Sequence, residues 1–165
     1  VRLRTFLKRT RIPASAEAVF AWHAAPDALQ RLTPPWTRVR VVTRSGGIEP
    51  GARVLLEISF GPLRLRWLAE HRDWIPGREF TDVQLAGPFA CWHHTHRFLP
   101  YGRDECILED EVRYALPLGR LGDWLAGWYV RRQLERLFAF RHRVTLSAFD
   151  GSGTGSPDAA PAVQS

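Results

Sequence analysis

The sequence predicts an α+β protein in which an antiparallel sheet of about seven strands packs against one long C-terminal helix, with two short helices after the first strand. Three observations predict this order. Residues of one parity stay apolar through a run of strands, as expected of a sheet with one face on a core. Prolines at 13, 34 and 35 isolate two short helical stretches. A stretch without proline follows Pro117 and reaches Phe149.

Arg2 to Ile12 reads as the first strand, with neither parity clean, and Pro13 ends it. Ser15 is the N-cap of a short helix carrying Val19, Phe20 and Trp22, with Glu17 in its first turn. A second short helix, Asp27 to Leu32, stops at Thr33-Pro34-Pro35. A meander begins at Thr37. Closing Phe60 on Leu63 around Gly61-Pro62 puts Val54, Leu56, Ile58 and Phe60 on the face of Leu63, Leu65, Trp67, Ala69 and His71.

A four-residue loop, Trp74 to Gly77, then adds Phe80, Asp82 and Gln84 to that face, and a turn at Gly87-Pro88 adds Trp92, His94, His96 and Phe98. A three-residue loop, Tyr101 to Arg103, adds Cys106, Leu108, Asp110, Val112 and Tyr114. In this register Asp110 faces His94, Phe80 flanks His94 from the other side, and Leu108 faces His96. The other face collects Arg64, Arg66, Glu70, Arg72, Arg97, Glu109, Glu111 and Arg113. In the long helix, Leu121, Leu125 and Trp128 lie opposite Val130, Leu134, Leu137, Phe138 and Val144. Either a kink near Gly127 reconciles the two stripes, or the first half turns an apolar side to a partner.

The 165 residues, 45% hydrophobic, suit one domain, residues 1–149, followed by a tail, 150–165, too poor in large apolar residues to fold. No run is long and apolar enough to span a membrane, so the expectation is a cytoplasmic chain without stable membrane insertion. The net charge of +6 comes from arginines spread along the chain, with Lys8 the only lysine, and this argues against a nucleic-acid surface. Cys91 would face Arg113 and Cys106 would face Phe98, which is incompatible with a disulfide; both read as buried structural thiols.

This element order, with the strings LTPPW (32–36), RWLAEHRDWIPGREFTD (66–82), GPFACWHHTHRF (87–98), LEDEVRYALPLGRLG (108–122) and VRRQLERLFAFRH (130–142), resembles the SRPBCC superfamily. That superfamily includes START lipid-binding domains, Bet v 1-type allergens and polyketide cyclases or dehydratases. The resemblance implies the helix-grip fold, a curved sheet wrapped around the long helix over a cavity. It is strongest to a small bacterial ligand-binding group that occurs alone or ahead of an epimerase-like NAD(P)-binding domain. The chain has no glycine-rich dinucleotide motif, so an epimerase-like partner would be a separate chain.

On this reading the cavity is lined by Leu56, Ile58, Leu65, Trp67, His71, Phe80, Asp82, Trp92, His94, His96, Leu108, Asp110 and Tyr114. An apolar pocket with a few convergent polar groups suits a small hydrophobic or amphipathic ligand, with His71, His94, His96, Asp82 and Asp110 orienting its polar end. No cofactor is expected, and the chain is a monomer or a dimer. Catalysis by His94 and Asp110, as in a cyclase, dehydratase or isomerase, is the alternative. A zinc site at His71, His94 and His96 is weighed and set below both, because His96 would face Leu108 amid aromatic crowding. Trp124, Trp128 and Tyr129 are read as core packing in preference to an exposed patch that meets a membrane.

Overall fold

The computed structural model describes residues 2–60 and 63–151. The tail from residue 152 and the Gly61-Pro62 turn therefore lie outside the described residues. Strand β1 (Arg4–Ile12) is followed by helices α1 (Ala16–Ala24) and α2 (Ala28–Arg31). Then come β2 (Arg38–Ser45), β3 (Arg53–Phe60), β4 (Leu63–Ile75), β5 (Glu79–Ala86), β6 (Cys91–Pro100), β7 (Cys106–Ala115) and α3 (Gly119–Phe149). The strands form one antiparallel sheet in the order β1-β7-β6-β5-β4-β3-β2, a helix-grip arrangement in which the sheet curves around α3.

Local chemistry sets the boundaries. Ser15 caps α1, its Oγ accepting from the Ala18 amide at 3.2 Å. The inward row of β1 is Arg4, Phe6, Lys8, Thr10 and Ile12, with Phe6 and Ile12 buried. Its polar members explain why neither parity is clean in sequence. Pro34 is buried, and Trp36 packs on α3 against Phe140, with the Arg136 guanidinium 4.2 Å from its ring centre.

The core has two parts. Ile12, Val19, Phe20, Phe80, Phe98 and Leu108 pack under α1, while Phe6, Trp92, Val112, Tyr114, Leu134 and Phe138 pack under α3. The outer face carries the expected charge ladder, with Arg97 bridging Glu79, Glu109 and Glu111 at 2.8–2.9 Å.

The β3–β4 register is as expected, whereas the β5–β6 and β6–β7 registers each differ from expectation by two residues. The loop between β6 and β7 is longer than three residues, closed by the Tyr101 amide donating to the Glu105 carbonyl, so Pro100 pairs Cys106 and Asp110 faces His96. His94 faces Val112, and Leu108 faces Phe98. Likewise Phe80 pairs His96 and Asp82 pairs His94. Strand β4 continues to Ile75 after a bulge between His71 and Trp74, leaving a tighter turn at Gly77, whose φ is +71°. Both cysteines are free: Cys106 is buried opposite Pro100, but Cys91, at the start of β6 opposite Ala115, is exposed.

The two stripes of α3 resolve without burial of the first. Gly122, Asp123 and Gly127 face inward, and Arg4 reaches past Gly127 to pair with Asp123, Nε to Oδ1 at 2.9 Å. Leu121, Leu125, Trp124 (79% exposed), Trp128 (68%) and Tyr129 (52%) face outward. The aromatic group expected in the core is thus on the surface, because a polar pair and two glycines occupy the inward positions.

Candidate functional site

Three strands and one helix bring a buried polar cluster together on the inner face. Asp82 on β5 faces His94 on β6, and His96 faces Asp110 on β7. Asp110 is the hub. His94 Nε2 donates to its Oδ1 at 2.8 Å, and His142 Nε2, from α3, donates to its Oδ2 at 2.7 Å. Nδ1 of His96 lies 2.7 Å from Oδ1 but is too poorly aligned to hydrogen-bond. Thr10 on β1 supports His142, its hydroxyl 2.7 Å from Nδ1.

The other edges of the imidazoles face Asp82, whose Oδ2 is 3.3 Å from His94 Nδ1 and 3.5 Å from His96 Nε2. His94, His96, Asp110 and His142 are buried, while the Asp82 side chain is 19% exposed. Asp82 is therefore the cluster's outlet. Rings wall the remaining sides: Phe80 stacks on His96 at 4.3 Å, and Phe138 meets His94 edge-on at 5.1 Å.

Electrostatics follows from this packing. Burial lowers His94, but the Asp82 and Asp110 carboxylates outweigh it and push the pKa up to about 9. Burial would raise both carboxyls, yet the histidines hold Asp82 and Asp110 well below the usual carboxylate range. Burial lowers Arg141 on α3, whose Nε donates to the Leu32 carbonyl at 3.2 Å. It also lowers His71, the cross-strand partner of Asp82, and His71 Nδ1 is buried with no hydrogen-bond partner among the described residues.

The residues expected to line a cavity fall into two groups. Phe80, Trp92, His94, His96, Leu108, Asp110 and Tyr114 are buried, whereas Leu56, Ile58, Leu65, Trp67, His71 and Asp82 are half-buried. Apart from Asp82 on β5, the second group lies on β3 and β4, away from β1 and β7, on which α3 mainly packs. Aromatic contacts link the groups, Trp67 meeting Trp92 at 5.0 Å and Trp92 meeting His94 at 6.4 Å. A depression of about 650 Å³ opens alongside, between α2 and β2, lined by residues such as Leu29, Thr33, Pro34, Val39 and Val41. Val39 and Val41 pair with Ile58 and Leu56, so this depression borders the expected lining without including it.

Sequence reasoning missed His142 and His23. His142 continues the row Leu134, Phe138 at four-residue spacing, and that spacing is the signal for an inward histidine. His23 follows Val19 and Phe20 on the buried side of α1, donates from Nδ1 to the Val19 carbonyl at 2.8 Å and lies 3.4 Å from the Thr145 hydroxyl. Of the three histidines considered for zinc, His94 and His96 share Asp82 as their common neighbour, and His71 is not among the atoms that converge with them.

The family model described as polyketide cyclase / dehydrase and lipid transport matches residues 12–140. No curated protein matches the sequence. Among solved structures, the chain is similar to TTHA0849 from Thermus thermophilus, at 23% identity over 88% of this chain and 99% of that one, with a TM-score of 0.64. It is also similar to the Zhui aromatase/cyclase from Streptomyces sp. R1128, at 16% identity over 96% and 100% of the chains, TM-score 0.68. A third likeness, at 26% identity and TM-score 0.66, is to a nucleoside-diphosphate sugar epimerase from Corynebacterium glutamicum, covering 88% of this chain and 29% of that one.

Proposed function

The chain belongs to the polyketide cyclase/dehydrase and lipid-transport family of the SRPBCC superfamily, and from that premise we propose that it binds a small amphipathic molecule. The apolar part lies along Leu56, Ile58, Leu65 and Trp67, and the polar end reaches Asp82 and His71 at the edge of the buried cluster. One observation carries this reading. The inner face of β3 and β4 stays half-buried beside a titratable pair, and His71 Nδ1 is a buried polar atom without a partner among the described residues, which a ligand group would satisfy.

A cyclase- or dehydratase-type enzyme using His94 and Asp110 is the second reading, favoured by their 2.8 Å hydrogen bond. It is the weaker one because His94 is buried, with Nε2 held by Asp110 at 2.8 Å and Nδ1 facing the Asp82 carboxylate at 3.3 Å and not an open space. The likeness to part of a sugar epimerase supports an epimerase-like partner chain, testable by co-purification.

Asp110→Asn separates binding from catalysis. Titration with a medium-chain fatty acid, followed by tryptophan fluorescence and by any carbonyl-directed turnover, should show affinity changed by about tenfold or less on the binding reading. The catalytic reading requires turnover to fall by several orders of magnitude. Wild-type protein that shows no saturable response to amphipathic probes would sink the binding reading.

A further inference from the structure

The inner-face cluster also presents donor atoms spaced for a metal ion. Asp82 Oδ2, His94 Nδ1 and His96 Nε2 all lie within 4.8 Å of one another, with Asp82 3.3 and 3.5 Å from the two nitrogens. An ion holding N and O ligands tetrahedrally at about 2.0–2.1 Å separates them by roughly 3.3–3.4 Å. Both edges through Asp82 therefore already have the length a zinc ion would impose. They are long for direct charge-assisted hydrogen bonds, which run at about 2.7–2.9 Å.

The two edges of each imidazole differ in a telling way. Towards Asp82 the contacts are long, whereas behind the rings His94 Nε2 hydrogen-bonds to Asp110 at 2.8 Å and His96 Nδ1 lies 2.7 Å from the same oxygen without the alignment of a hydrogen bond. Metal-bound histidines show the arrangement seen at His94: one nitrogen meets the ion while a carboxylate behind the ring holds the other. Asp110 is in turn fixed by His142, and His142 by Thr10. This supporting chain is independent of the spacing of the donor atoms.

We infer that Asp82, His94 and His96 form a two-histidine, one-carboxylate site for a divalent transition metal, zinc being the ion that the spacing fits, with Asp110 and His142 as the orienting groups behind it. The donor set, imidazole and carboxylate, is of the class that zinc accepts. Three protein ligands leave a fourth position, on the side where Asp82 is partly exposed and His71 Nδ1 lacks a partner among the described residues. Counting Asp82, Asp110, Arg141 and neutral imidazoles, the loaded site carries one net positive charge, which suits an anionic fourth ligand such as hydroxide or a carboxylate. The site goes beyond the ligand reading and does not rest on it, since metal uptake needs no organic molecule.

The test uses tag-free full chain stripped with a chelator, titrated with Zn²⁺ alone by calorimetry and with Co²⁺ alone by visible absorption. The expected result is one ion per chain and a cobalt spectrum of the tetrahedral type. Asp110→Asn should weaken uptake by roughly 10–100-fold and Asp82→Asn by more. His93→Ala, on the opposite face of β6, should leave uptake unchanged. No stoichiometric zinc, an octahedral-type cobalt spectrum, or uptake that depends on His93 and survives Asp82→Asn would overturn the assignment. If Asp82→Asn fails to fold, the wild-type stoichiometry and cobalt spectrum decide alone. Zinc uptake without any amphipathic ligand supports the metal site even where the ligand reading fails.

Discussion

His142 reaches from the C-terminal helix to Asp110 on β7, Nε2 to Oδ2 at 2.7 Å, and so ties the helix to the polar cluster of the sheet. The other Asp110 oxygen takes the His94 hydrogen bond. With its carboxylate buried, Asp110 depends on these partners for the solvation it has lost. Replacing Asp110 with Asn turns an amide NH₂ towards one of two N–H donors and removes the charge that balances the histidines. Breaking a buried network in this way costs about 3–5 kcal/mol. Urea unfolding of metal-free protein at neutral pH should show that loss, and a loss below about 1 kcal/mol would mean that Asp110 is not the hub.

Acid should destabilise the protein through His23. Burial pushes its pKa down to about 4, against 6.5 for the unfolded chain. The unfolded state therefore takes up a proton below about pH 6.5 that the folded state refuses until about 4. The stability present above 6.5 is lost progressively across that window, by about 3 kcal/mol at its lower end. His71, also lowered by burial, adds in the same direction. Unfolding midpoints measured from pH 7 to 4.5 should fall steeply in the wild type and less steeply in His23→Leu. Equal slopes would contradict the assignment.

Gly122→Ala should destabilise although alanine is the better helix former. A Cβ there would sit 1.9 Å from the Pro117 carbonyl oxygen, and overpacking of that kind costs about 1–3 kcal/mol. At Gly127 the nearest atoms an added Cβ would meet belong to the Arg4 guanidinium, from 2.9 Å, which can shift, so Gly127→Ala should cost less. Thermal melts of the two variants provide the comparison, and the reverse order would contradict the packing of α3.

The outward aromatic group predicts the opposite of core behaviour. Trp124→Ser and Trp128→Ser, at positions 79% and 68% exposed, should each change stability by no more than about 0.5 kcal/mol. Losses of several kcal/mol, the size expected of a core tryptophan, would place these rings back inside.

Much of the sheet was legible because side-chain parity has a period of two. The register errors at Tyr101–Glu105 and Gly87–Ala90 were two-residue slips, so every inward residue stayed inward while its neighbour changed. His94 was therefore matched with Asp110 by the wrong register, yet the two bond, because a histidine reaches diagonally to the carboxylate that faces His96. Loop length, which sets register, depends on turn geometry that the residues around Gly102 do not disclose. The α3 surface was misread for another reason. A tryptophan-rich stripe outweighs two glycines in any count of apolar residues, and only the Arg4–Asp123 pair, 119 residues apart in sequence, shows which side faces in. His142 and His23 were overlooked because a histidine in an apolar row does not register as hydrophobic.

Native mass spectrometry of the protein purified from its own host, alongside the Ile58→Arg variant, tests the ligand reading most directly. Ile58 is half-buried on the inner face of β3, and an arginine there would put a charge into the proposed apolar contact and oppose apolar occupancy. The wild type should carry a stoichiometric small-molecule adduct that denaturing extraction releases, and the folded variant should carry none. A bare wild-type chain, or an adduct kept equally by the variant, would contradict ligand binding between the sheet and the helix.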